Sequence, residues 1–317
     1  MSSLDSYHAE SMKLLSIAPY LVVVMTISCA TKRDAQENIN SDVEHEIRLL
    51  TQRLDEVEGN EQLAECLNHY THSAISMPEY QATLSGRQEI ENYYRTIFEK
   101  QHIKNIRREP KEFIHLGKTI VVIGTYKRDY EAEDSIINLD GKYLHVWTSE
   151  ASTYRIKGEA FGYFHPVDNP ESLIISTDQQ QPDESEIQVE VPFQLKAYNA
   201  LMEKGVRQRN ATIRVGFFSD NAIFYPHADS AIVGMDQLKP YLTAYSNRGT
   251  ITINSVTCYT YNFEKLDDYI LEYDMFKVSW SRAGDAGRTE GKGIRLWKRE
   301  TDGSLKLFRE IGTHNYL

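Results

Sequence analysis

The sequence predicts an α+β protein made of two tandem copies of one domain, and three observations carry that reading. The stretch "GKYLHVWTSE" at residues 141–150 returns as "GKGIRLWKRE" at residues 291–300. With a shift of 148, "AISMPEYQATLSGRQEIENYY" (74–94) lies over "AIFYPHADSAIVGMDQLKPYL" (222–242), and Ala, Ile, Pro, Gly and Tyr coincide. In both copies helical patterns come first and strand patterns follow, which is an α+β order. Each identity alone is weak. In the same order at a nearly constant offset, they mark a duplication.

The elements follow in turn. Val43, Ile47, Leu50, Leu54 and Val57 step by four and three, so they share one helix face. Val191, Leu195, Tyr198 and Met202 repeat the spacing in the second copy. Short helical patterns come next, at Leu63, Leu67 and Tyr70 and at Ala211, Val215 and Phe218. A strand then ends at Pro78 or Pro226, and a third helix starts near Gly86 or Gly234. The remainder of each copy is rich in strand candidates, such as "TIVVIGTYKRDY", "TYRIKGEAFGYF" and "YILEYDMFKVSW". "STDQQQPDESE" lacks apolar periodicity and reads as a linker. The domains are therefore expected at 41–175 and 189–317, joined by a linker at 176–188.

A chain of 317 residues accommodates two such domains, and 41% hydrophobic with 26% charged residues describes a globular protein. The net charge of −11 argues against nucleic acid, which rewards clustered Lys and Arg. Cys66 and Cys258 fall in apolar patterns and read as small buried hydrophobes. Cys29 has a different context. "MKLLSIAPYLVVVMTISCATKRD" has a basic start at Met12-Lys13, an apolar middle and a small residue before Cys29, the order of a secretory signal. Its apolar run is short for a spanning helix, which needs about 20 residues. Residues 1–28 are thus expected to be a signal peptide starting at Met12, with Cys29 the lipid attachment site and 29–40 a tether. The segment resembles a bacterial lipobox, with Thr26 departing from the usual Leu. That implies a lipid anchor in a bacterial cell envelope, at the periplasmic or outer-membrane face; plain secretion and a retained membrane anchor are the alternatives.

The helical hairpin, the "A-I-x-x-P" strand, the "G-x-x-x-[IL]" helix start and the terminal "G-K-x-[LI]-x-[VL]-W" and "[IL]-x-x-E" strands are similar to SnoaL-like domains. These belong to the superfold of nuclear transport factor two and ketosteroid isomerase. The resemblance covers residues 41–168 and 189–317 and implies a bent sheet wrapped around the helices, leaving a conical pocket. It implies a small hydrophobic or aromatic ligand, and sheet-to-sheet pairing, either within the chain as a pseudo-dimer or as a homodimer. In ketosteroid-isomerase-like members an Asp base precedes the Pro of the first strand. Met77 and Tyr225 stand there in this chain. A thioether takes no proton, and a phenol of pKa about 10 is a poor base.

The second copy gathers more polar groups. "FYPHADS" supplies Tyr225, His227 and Asp229. His and Asp at i and i+2 point the same way on a strand, where Asp229 would orient His227 as a base. The same residues also suit a solvated loop, or less well a pair of metal ligands, for which no third ligand stands at a recognisable spacing. Gly293, Arg295 and Trp297 share one strand face, matched by Tyr143, His145 and Trp147 in the first copy. If that face lines the cone, Arg295 holds an anionic group and Gly293 opens room that Tyr143 fills; otherwise Arg295 is a surface cation. His314 is either a pocket rim residue or part of a frayed end. Glu272 and Asp274 are expected to point outward, because Tyr269, Leu271, Tyr273 and Met275 make the more apolar face. No phosphate loop, nucleophile elbow or zinc motif occurs, so no cofactor is implied. The expectation is a binding or protein-interaction module without a complete catalytic set. The alternative is an acid–base isomerase, cyclase or dehydratase acting on a hydrophobic or polyketide-like substrate in the second pocket.

Overall fold

A computed structural model describes residues 18–132, 135–168, 170–174, 181–247 and 249–316. The signal-peptide expectation falls largely outside them, and of Cys29 only the helical backbone is described. Among the described residues no helix is long and apolar enough to cross a membrane. Contacts divide the chain after Ile47. The part before that point ends in the N-terminal stretch of α1 (Ala18–Gly59), and Arg48 onward holds everything else.

In the first half the end of α1 is followed by α2 (Leu63–Asn68), β1 (Tyr70–Pro78), β2 (Leu84–Ser85) and α3 (Arg87–Lys100). Four long strands complete it: β3 (His102–Leu116), β4 (Thr119–Ala132), β5 (Ser135–Glu150) and β6 (Thr153–Tyr163). The second half repeats the order with α4 (Phe193–Arg207), α5 (Ala211–Val215), β7 (Phe218–Tyr225), β8 (Ile232–Val233) and α6 (Gly234–Asn247). Its long strands are β9 (Thr252–Leu266), β10 (Tyr269–Arg282), β11 (Asp285–Arg299) and β12 (Leu305–His314). The sheets run β2-β1-β6-β5-β4-β3 and β8-β7-β12-β11-β10-β9, antiparallel except where β1 meets β6 and β7 meets β12. The α+β class and its duplication are therefore as the sequence predicts.

Local chemistry repeats as well. Gly86 (φ 84°) and Gly234 (φ 71°) begin the third helix of each half in a conformation that L side chains avoid. The register slips between Val146 and Trp147 and again between Leu296 and Trp297. A bulge bends the strand that carries it, so the repeated Gly-Lys-…-Trp stretch is where each sheet curls.

Because each sheet curls, its two faces do different work. One face closes over the helices of its own half: Leu195, Met202, Phe224, Leu238 and Trp297 are packed together there in the second half. The other face meets the opposite sheet. Ile75, Met77, Val121, Ile123, Leu144 and Val146 of the first half share a core with Leu271, Tyr273, Met275, Ile294, Leu296 and Ile311 of the second. The fit is close at Gly158, where a Cβ would lie 1.9 Å from the Tyr273 hydroxyl. Segments cross as well: Tyr80 N donates to His314 O (2.7 Å), and Arg309 grips Glu112 with two bonds of 2.8 and 2.6 Å. The C-terminal end of the predicted linker is docked, with Gln181 buried and its Nε2 donating to Gly291 O (3.1 Å).

Candidate functional site

The two cones differ inside. The first contains a void of about 20 Å³ among Tyr93, Tyr94, Arg108, Tyr126, Tyr143 and His145. The second holds a cavity of about 330 Å³. Its walls are mainly apolar, including Met202, Phe224, Val256, Phe276 and Val278. One cross-strand pair explains much of the difference. On β4 and β5, Gly124 faces Tyr143, and a Cβ at Gly124 would lie 2.7 Å from the Tyr143 hydroxyl. On β10 and β11 the pair is Asp274 and Gly293. The bulky ring of the first cone is thus replaced by a glycine, and a carboxylate takes the place of the first cone's glycine.

That carboxylate belongs to a buried cluster. Arg295, 5% exposed, reaches Asp274 through Nη2 (2.9 Å) and Glu310 through Nε (3.0 Å), with Glu272 3.8 Å from Nη1. Glu272 is saturated: Thr260 Oγ1 donates at 2.5 Å and Trp297 Nε1 at 2.7 Å. Asp274 Oδ1 and Glu310 Oε2 accept no hydrogen bond, and both residues border the cavity. One guanidinium cannot neutralise three buried carboxylates. Burial pushes the Asp274 carboxyl up to about 7, helped by Glu272 and Glu310 and opposed by Arg295. Arg295 remains charged, its guanidinium held further up by the same carboxylates against the cost of burial.

At the mouth, His227 Nδ1 lies 2.7 Å from Glu79 Oε1 of the first half, and its ring stacks on His314 at 4.0 Å. Glu79 Oε1 also accepts from His314 N (2.7 Å). Lys292 is fully buried and donates to Gln81 O (2.5 Å) and Asn315 Oδ1 (2.7 Å). Burial pulls its ammonium down to about 7, with Glu79 opposing. Lys142, its counterpart, reaches Asp229 O (3.0 Å) and is lowered to about 8 by the same cause.

The predicted site residues divide accordingly. Arg295, His227, Asp229 and His314 border the cavity. The expected His227–Asp229 pair does not form. β7 ends at Tyr225 and Ala228 has φ 49°, so strand alternation stops before it can align the two side chains. Asp229 instead accepts from Ser230 N (2.8 Å). Tyr225 is not a cavity residue; it packs on the core between the sheets, and its neighbours Phe224 and Pro226 face the cavity. Burial raises its phenol to about 12. Trp297 lies behind the wall, packed at a tilt on Tyr198 at 4.7 Å and holding Glu272. His145 and Trp147 are buried in the closed first cone, where His145 Nε2 is 3.5 Å from Glu159 Oε2 and burial keeps its imidazole neutral. Among the described residues no group of three or more His, Cys, Asp or Glu side chains is arranged to hold a metal.

Glu272 and Asp274 overturn the outward placement expected for them. The apolar face of β10 does point inward, but to the core between the sheets; the carboxylates line the cone side. Both faces of this strand are buried, so the contrast between them gave no inside and outside.

In each half a helical hairpin and a third helix pack into a curled six-stranded sheet whose first strand joins the last in parallel. Each half is thus an α+β cone, the architecture that the resemblance to SnoaL-like domains implies. No family model and no curated protein matches the sequence. Among solved structures, a ketosteroid isomerase-like protein from Erwinia carotovora atroseptica is 12% identical, with a TM-score of 0.34 over 39% of this chain and 95% of its own. A nuclear transport factor two-like protein from Cytophaga hutchinsonii is 12% identical, with a TM-score of 0.32 over 41% of this chain and 98% of its own. Another such protein, from Novosphingobium aromaticivorans and described as having a cystatin-like fold, is 12% identical, with a TM-score of 0.37 over 44% and 93%. Each of these structures is matched over most of its own length and over about two fifths of this chain.

Proposed function

We propose that the second cone binds a small, largely apolar molecule and that Asp274 moves a proton on it. The observation that carries this reading is the Asp274 carboxyl. It borders an apolar cavity, is held by Arg295 through one oxygen, has the other unpartnered, and titrates near neutral pH. A base works best when its pKa lies near the working pH. A ligand with an acidic C–H beside a carbonyl would lose a proton to Asp274 and regain it at another position, which is isomerase chemistry. Arg295 keeps the carboxylate oriented; Phe224, Phe276 and Val278 hold the apolar body. The test needs no knowledge of the natural substrate. A panel of ketones and enones is incubated in deuterated buffer, and exchange at carbon is followed by NMR. At least one member should exchange faster with the protein, and Asp274→Asn should reduce that rate by about 10²–10⁴-fold. Exchange that is absent, or indifferent to the substitution, sinks the reading.

A binding module without turnover is the second reading, favoured by Met77 and Tyr225 where related proteins carry their base. It predicts ligand-induced stabilisation with no exchange in any member of the panel.

Attachment to a bacterial envelope through a lipid on Cys29 is proposed on the basic, apolar and small-residue order from Met12 onward. In this reading the two cones form a pseudo-dimer held off the membrane. Metabolic labelling with a fatty acid should mark the wild type and fail on Cys29→Ser; release of the mature protein into the medium would support secretion instead.

A further inference from the structure

The cations around the second cavity are not equivalent. Arg295 is surrounded by Asp274, Glu310 and Glu272. His227 is paired with Glu79, and Lys292 donates to a carbonyl and an amide oxygen. Arg214 differs from all of them. It borders the cavity from α5, and among the described residues no carboxylate pairs with it. Its Nε is shielded from solvent and donates to nothing. Guanidinium groups stay charged in proteins and present a planar fork suited to a carboxylate. This one is also held in place. Its stem passes Gly205 of α4, where a Cβ would lie 3.6 Å from Arg214 Cγ, and its Cζ sits 5.6 Å from the centre of the Tyr245 ring. Tyr245 borders the same cavity.

The duplication supplies a comparison. At the constant offset of 148 residues, Arg214 corresponds to Cys66, a buried side chain beside a cone that has no room for a ligand. At this position the cation therefore occurs in the half with the cavity and not in its twin, whose own carboxylate-free cation, Arg128, borders a void of about 20 Å³ with no room for a ligand. Arg214 is half-buried, with its Nε shielded and unpartnered at the edge of the apolar cavity.

We infer that Arg214 anchors the carboxylate of the ligand, so that the second cone takes small carboxylic acids with an apolar body. This rests on the reading of the second cone as a ligand site, and it adds the class of ligand and the residue that selects it. The acid group would sit against Arg214 and Tyr245, the body along Phe224, Phe276 and Val278, and the reacting carbon toward Asp274.

The test is a titration of the full chain with straight-chain and aryl-alkanoic acids of six to twelve carbons, each against its primary amide. Binding is read by calorimetry and thermal shift. An acid should bind the wild type about ten- to a hundredfold more tightly than its amide, the range for hydrogen bonds to a charged partner. Arg214→Gln should remove that preference, bringing the acid down to the affinity of its amide. Acid and amide binding alike, a preference that survives Arg214→Gln, or no acid binding at all would each overturn the inference. Asp274→Asn separates the two proposals. It should abolish carbon exchange and keep the acid preference if both hold. A lost preference with exchange intact in the wild type removes the anchor alone.

Discussion

The two cones share a sheet order, a bulge at Trp147 and Trp297 and a glycine-initiated third helix, yet one is filled and the other is hollow. The exchange of Tyr143 and Gly124 for Gly293 and Asp274 lies at the centre of that difference. In the first cone aromatic side chains fill the space: Tyr143 packs on His145 at 4.4 Å, and Tyr70 and Tyr94 share a hydroxyl hydrogen bond of 2.9 Å. In the second a cavity of about 330 Å³ takes that place, and its polar lining carries charge. A duplicated fold thus has one packed copy and one with a cavity.

The largest effects are expected from undoing that division. Tyr143→Ala removes the ring that fills the first cone and should destabilise the protein by about 3–5 kcal/mol in urea unfolding, the range for buried aromatic truncations. A cost under about 1 kcal/mol would mean that the first cone tolerates an opening and that the contrast with the second is not energetic. Arg295→Met strikes the hollow cone with similar force. It leaves Asp274, Glu272 and Glu310 buried without a counter-charge, which costs about 3–5 kcal/mol when one partner of a buried ion pair is removed. Lowering the pH should recover part of that loss, because protonation removes the stranded charges. Urea unfolding at pH 5 and pH 8 measures both.

How far this contrast was legible in the sequence depended on which contacts were local. The duplication, the helix faces at Leu54 and Val57 and at Leu195 and Met202, and the strand order all follow from periodicity, which the chain carries within itself. The place of Gly293 opposite a filled Tyr143 was legible from the offset alone. The pairing of His227 with Glu79 was not, because the two stand 148 residues apart and meet only when the halves pack. Nor was the inward turn of Asp274. Strand parity separates inside from outside only when one face meets water, and β10 is buried on both sides. A carboxylate on the less apolar face of such a strand is better read as facing a polar cavity than as facing solvent.

A smaller and more specific effect concerns pH. The Asp274 carboxyl is raised from 3.8 to about 7 on folding, so between those values the folded state binds more protons than the unfolded one. Stability from this group therefore falls as pH rises from about 4 to 7. The Lys292 ammonium is lowered from 10.5 to about 7, so there the unfolded state binds more protons and stability rises from pH 7 toward 10. The hollow cone thus gives two slopes of opposite sign that meet near neutrality. Asp274→Asn should flatten the acid-side slope, by an amount on the order of 2–4 kcal/mol, and leave the alkaline one. Lys292→Met should do the reverse. Melting temperatures from pH 4 to 10 for both variants give the answer, and an unchanged acid-side slope in Asp274→Asn would show that this carboxyl is ionised like any surface one.

The smallest effect is expected where the halves meet in water. Lys157 of the first half pairs with Glu264 of the second, and the Glu264 side chain is 41% exposed. A pair so open to solvent contributes about 0–1 kcal/mol. The sheets beside it bury Met77, Leu144, Val146, Leu271, Ile294 and Leu296 in one shared core, at about 1.5–3 kcal/mol for each large apolar side chain. Lys157→Ala should therefore shift the urea midpoint by little, and one cooperative transition should remain. Two transitions in that variant would mean that a surface ion pair, and not the apolar face, couples the halves. A single transition in Lys157→Ala beside two in Leu296→Ala would place the coupling in the core between the sheets, where each half leaves its more apolar face to be covered by the other.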